Sequence, residues 1–119
     1  MRLEPTAETG VINVIGGASA NYIPADKVGV TIAGGGGTGV NSNAALNNFS
    51  AIGGGYKNRA AGDYVTVAGG QENAANAIYG TIAGGYSNTV QVIGGTIGGG
   101  RRNTVASPAQ YATIAGGYG

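Results

Sequence analysis

The chain has 119 residues, 26 of them glycine, with no cysteine, histidine or tryptophan and a net charge of +1. No disulfide framework or thiolate zinc site can form, and the commonest general base and metal ligand is missing. With 9% charged residues there is no electrostatic pull toward nucleic acid or an acidic membrane. Glycine does not fall on every third position, as collagen requires, and no apolar run reaches the roughly 18 residues that would span a bilayer.

Residues 1–29 read as a lead-in or cap. "MRLEPTAETGVINVIGG" lacks the basic-then-apolar plan of a signal peptide. "NVIGGASAN", from residue 13, reads as a degenerate first copy of a phrase that recurs downstream. Residues 30–119 form the repeat domain. An early copy starts at Thr31, with "GGGGTGVNSN" as its loosened continuation. The full phrase, [T/A]-[I/V]-[A/G]-G-G-x-x-N, occupies Ala51–Asn58, Thr66–Asn73, Thr81–Asn88 and Thr96–Asn103. Its starts advance by fifteen three times, then by seventeen after "SPAQ", to a truncated copy at Thr113–Gly119. Stopping inside its own phrase at "TIAGGYG" points to an excised fragment. Self-similarity over so many units is the mark of a repeat array.

Within each unit the period is two. Tyr64, Thr66 and Ala68 alternate with Val65, Val67 and Gly69, and Tyr79, Thr81 and Ala83 alternate around Ile82, which predicts β-strands starting at the tyrosines. A shorter strand is predicted after each Asn, clearest at Val90 and Val92. The unit then reads strand, Gly-Gly-x-x-Asn turn, short strand, turn: one coil of an all-β solenoid, rising about 4.8 Å per coil. Gly69-Gly70, Gly84-Gly85 and Gly99-Gly100 are the expected corners, since glycine tolerates φ > 0. On this reading Gly84→Val is strongly destabilising. The column Asn58, Asn73, Asn88, Asn103 is expected to bond neighbouring turn backbone.

The inward side of the first strand carries Ile52, Val67, Ile82, Ile97 and Ile114, while the facing strand offers only Ala60 and Ala75 in two coils. So thin a core calls for more burial than one chain supplies. Ala33, Gly53, Ala68, Ala83, Gly98 and Ala115 form a small-residue column on the other face, where a copy of the chain could approach closely.

"TIAGGYSNTV", "TVAGGQENAA" and "TIGGGRRNTV" resemble the head repeats of YadA-like trimeric autotransporter adhesins, whose Gly-rich relatives also occur in phage tail fibres. The likeness covers about residues 30–119 and loosely the lead-in from residue 11. It implies a left-handed parallel β-roll assembled as a homotrimer, located outside the cell on a bacterial surface or a virion tail fibre. It also implies binding to matrix protein or host-surface glycan rather than catalysis. The unit departs from the usual family phrase in length and in its Gly-Gly corners, and no heptad stalk or membrane anchor is present. The triple β-spiral, also built on Gly-turn repeats, is the rival fold.

Chemistry is sparse. Glu4, Glu8, Asp26, Asp63 and Glu72 make no repeated close pair for acid-base work, and no histidine could activate a serine or threonine. No catalytic residue, cofactor site or metal site is expected, and no phosphate-loop motif is present. The variable pairs between Gly-Gly and Asn are Tyr56-Lys57, Gln71-Glu72, Tyr86-Ser87 and Arg101-Arg102. Changing residues on constant corners suggest a display surface. Lys57, Arg59, Arg101 and Arg102, flanked by Tyr56 and Tyr86, are expected to form a basic strip suited to anionic glycans. Tyr64, Tyr79 and Tyr111, with Phe49, form a second column that reads as stacking or interface. The expected function is attachment without catalysis. The alternatives are a purely structural shaft and, from the column Thr66, Thr81, Thr96 and Thr113, an ice-binding face.

Overall fold

The computed structural model describes residues 1–6 and 10–119, so Glu8 lies outside the described residues. Its strands are β1 (Arg2–Pro5), β2 (Ile12–Ile15), β3 (Thr31–Ile32), β4 (Ala44–Ala45), β5 (Ala51–Ile52), β6 (Arg59–Ala60), β7 (Thr66–Val67), β8 (Ala74–Ala75), β9 (Thr81–Ile82), β10 (Thr89–Val90), β11 (Thr96–Ile97), β12 (Thr104–Val105) and β13 (Thr113–Ile114). One sheet runs β1-β2-β3-β5-β7-β9-β11-β13 and the other β12-β10-β8-β6-β4. Every pairing is parallel except that of β1 with β2, where the first strand turns back along the end of the stack. The chain is a β-solenoid of seven stacked coils, because each strand from β2 to β13 in the longer sheet pairs with its equivalent one repeat away.

The register follows the repeat. Thr66 lies beside Thr81 and Thr81 beside Thr96, with Val67, Ile82 and Ile97 in the adjoining rank. A fifteen-residue unit returns the chain to the same corner one rung higher, so equivalent residues become neighbours. The two added residues of "SPAQ" bulge outward without disturbing this register, since Ile97 still pairs with Ile114. A third ladder of single bridges joins Tyr56, Gln71, Tyr86, Arg101 and Tyr118. The long dimension is 39 Å against 27 and 18 Å across, in keeping with about 4.8 Å per rung.

The core is a column of inward aliphatics. Ile15, Ile32, Ile52, Val67, Ile82 and Ile97 are buried from one sheet, and Ala45, Ala60, Ala75, Val90 and Val105 from the other. Ile114, on the last described rung, is only half-buried. A further inward rank balances the volume. Where the second sheet supplies Ala60 and Ala75, Val65 fills the space. Where it supplies Val90 and Val105, the rank holds Gly80 and Gly95 instead. A Cβ on Gly95 would lie 2.8 Å from Val90 Cγ1 and 3.3 Å from Val105 Cγ1. These two glycines make room; neither has a left-handed φ.

Two expectations need correcting. The strands do not begin at the tyrosines. Tyr64 and Tyr79 stand at φ +57° and +59°, a left-handed bend that ends any extended run, and pairing starts two residues later. The Gly-Gly corners are also unequal. Gly70, Gly85 and Gly100 adopt φ of +84°, +91° and +87°, whereas Gly69 and Gly84 are not left-handed and Gly99 stands at +155° with open space where a Cβ would be. A Cβ on Gly84 would meet nothing within 4 Å, while one on Gly85 would overlap the Gly100 carbonyl oxygen. The demanding position is the second glycine.

Candidate functional site

The corner that carries the variable residues is built on the asparagine column. Asn73 is buried. Its Nδ2 donates to Gly69 O and Gly85 O, both at 3.0 Å, and its Oδ1 accepts from the Asn88 backbone N–H at 2.9 Å. Asn58 and Asn88 repeat the pattern one rung below and above. Asn103 closes the run with Nδ2 on Gly99 O and Gly117 O. Asn43 and Asn21 extend it downward, with Nδ2 on Gly55 O and Gly35 O respectively. From Asn21 to Asn88 each amide ties its own corner to the next, with Nδ2 donating and Oδ1 accepting. Asparagine suits the position because its amide both donates and accepts.

The turn is short, so the residue before each Asn is forced left-handed. Lys57, Glu72, Ser87 and Arg102 stand at φ +57° to +59°. That conformation is uncommon for any residue but glycine. Their side chains project from the corner: Lys57 and Arg102 are exposed, Glu72 and Ser87 partly so.

The expected basic strip is divided. Lys57 and Arg59 lie beside an open cleft of about 350 Å³ that Glu72 and Val40 also line. Arg59 donates from Nη1 to Asn76 Oδ1 at 2.7 Å. Arg102 is three rungs above Lys57 in the same column, about 14 Å away, with Glu72 and Ser87 between them.

Arg101 is placed differently from Arg102. It sits in the bridge ladder, its N–H donating to Gly117 O at 2.8 Å. Its Cζ lies 5.3 Å from the Tyr86 ring centroid and 5.4 Å from that of Tyr118. Tyr56 belongs to the same column, three rungs below Arg101. The sequence reading missed Tyr118. The signal was there, since Arg101 to Tyr118 repeats the seventeen-residue step from Thr96 to Thr113.

On another edge Phe49, Tyr64 and Tyr79 form a stack with centroids 5.4 Å apart. Gly94 takes the next place, and the Tyr111 ring leans over it. Asp63, beside this stack, accepts from the Asn48 backbone N–H at 3.0 Å and serves as a turn bond. Asp26 pairs with Lys27 at 2.8 Å, and that hydrogen bond holds its carboxyl below the ordinary carboxylate value. Among the described residues no three His, Cys, Asp or Glu gather as metal ligands would, and no helix is long and apolar enough to cross a membrane.

The outer face of the longer sheet presents the expected small-residue column. Ala33, Gly53, Ala68, Ala83, Gly98 and Ala115 are all exposed and in register. Beside them runs the rank Thr31, Ala51, Thr66, Thr81, Thr96 and Thr113. Neither rank contains a charge, although Lys57, Arg59, Glu72, Arg101 and Arg102 are carried elsewhere on the rod.

The fold and its corners define the chain as a β-solenoid with a regular framework and a variable edge. Comparison with protein-family models, with curated proteins and with solved structures finds no match in any of the three.

Proposed function

We propose that the chain is a non-enzymatic attachment module: a left-handed β-roll, assembled as a homotrimer, that displays its corners to a host-surface glycan or matrix protein. It acts outside the cell, at a cell surface or on a virion tail fibre. The observation that carries this reading is the residue before each ladder asparagine. A left-handed non-glycine residue costs about 1–3 kcal/mol, yet this position holds Lys57, Glu72, Ser87 and Arg102. The framework beneath is constant and the side chains above it change. Keeping costly, varied side chains at an exposed corner serves recognition; a plain shaft would use glycine there.

The trimer rests on the resemblance to adhesin head repeats and on the two uncharged ranks that the longer sheet presents from Thr31 to Ala115. Small side chains let sheets approach closely, and three copies would repeat each corner three times, adding avidity to weak contacts. Light scattering tests the assembly. The wild type should show three chain masses, and Ala83→Arg should dissociate it by placing a charge in the contact. A folded wild-type monomer at micromolar concentration overturns the trimer. Binding to immobilised glycans and matrix proteins tests the function. No binding to any surface overturns the attachment reading and favours a structural shaft.

A further inference from the structure

We infer that the Tyr86–Arg101–Tyr118 stack is a carboxylate receptor for an acidic saccharide of the uronic- or sialic-acid kind. This rests on the attachment reading and names the chemistry of one of its contacts. The guanidinium carbon lies over two tyrosine rings from the rungs below and above, 5.3 Å from the Tyr86 centroid and 5.4 Å from that of Tyr118. Its N–H donors lie along the edge of the planar group. The backbone beneath is fixed by ladder bonds at each rung, from Tyr86 N to Gly100 O and from Arg101 N to Gly117 O. The guanidinium is therefore oriented before any ligand arrives, which lowers the entropy lost on binding.

Among the described residues nothing satisfies that edge. The ion pair recorded among the described residues is Lys27–Asp26, and no hydrogen bond is made by the Arg101 side chain. Glu72 belongs to the neighbouring column, two rungs below Arg102, about 10 Å away. A planar fork with free in-plane donors matches a carboxylate by two parallel hydrogen bonds, a match that a lysine ammonium cannot make. A saccharide fits better than an acidic peptide. Peptides added to a sheet need an open strand edge, and Tyr86 and Arg101 are already bridged on both sides.

The test compares wild type, Arg101→Lys, Arg102→Lys and Tyr118→Leu on immobilised polygalacturonate, dextran sulfate and polyglutamate at fixed ionic strength. Wild type should prefer polygalacturonate. Arg101→Lys, with its charge kept and its fork lost, should weaken that binding about tenfold or more, and Tyr118→Leu should weaken it in the same direction. Arg102→Lys should stay within about twofold, because its side chain is not clamped. Equal losses for the two lysine variants would show that the ring-flanked arginine has no special role and overturn the receptor. So would a preference for dextran sulfate or polyglutamate, or unchanged binding by Arg101→Lys. If wild type ignores all three coatings yet binds matrix proteins or other glycans, this assignment fails while the attachment function stands.

Discussion

Exchanging either glycine of one pair for alanine separates two positions that look alike in the sequence. Gly85 stands at φ +91°, where an L-residue costs about 1–3 kcal/mol. Its new Cβ would overlap Gly100 O and lie 2.7 Å from Asn88 Nδ2 and 2.9 Å from Gly100 N. Gly100 O accepts from Tyr86 N and from Asn88 Nδ2. Pushing the upper corner away strains both bonds, and losing one buried partner adds about 1–3 kcal/mol. Gly85→Ala should therefore destabilise by about 2–6 kcal/mol, the sum of these two effects. Gly84→Ala should lie within about 1 kcal/mol of wild type, since its Cβ meets nothing and alanine stiffens the unfolded chain. Urea unfolding followed by far-UV circular dichroism, at one protein concentration, gives both values from the midpoints and slopes. Equal costs at the two positions, or a Gly85→Ala cost below about 1 kcal/mol, would refute the assignment of the left-handed corner.

Asn73→Asp should destabilise, because the carboxylate would face the Gly69 and Gly85 carbonyls to which the amide now donates. Burial beside these oxygens raises the new carboxyl's folded-state pKa. The destabilisation should thus be full at neutral pH and relieved as pH falls through that raised value, as a pH series of unfolding midpoints would show. Gly95→Ala should overpack the core by about 1–3 kcal/mol, since its Cβ would crowd Val90 Cγ1. Combined with Val90→Ala it should cost less than the sum of the single variants, and a strictly additive double-mutant cycle would rule out this exchange of volume.

The sequence by itself determined the coil. A parallel ladder needs equal path length between rungs, so the fifteen-residue spacing from Thr66 to Thr81 to Thr96 becomes lateral pairing of those residues. Alternation within the unit sends Val67, Ile82 and Ile97 inward and leaves Ala68, Ala83 and Gly98 outside. The asparagine column was legible for the same reason, because an amide recurring at fixed spacing can bridge one corner to the next.

Only the tertiary structure decided which glycine turns and which side chains meet. Coil closure is a collective constraint, and it assigned the left-handed φ to Gly85 rather than Gly84, and to Tyr64 where alternation suggested an extended residue. The roles of Gly80 and Gly95 depend on volumes contributed by Val90, Val92 and Val105 across the core, which no local window contains. Arg101 and Arg102 are adjacent and chemically identical in the sequence. One is clamped between rings because its backbone lies in the bridge ladder. The other is turned outward because its φ is +59°. One peptide unit separates them, and the direction of each Cβ, set by the path of the coil, gives them different surroundings.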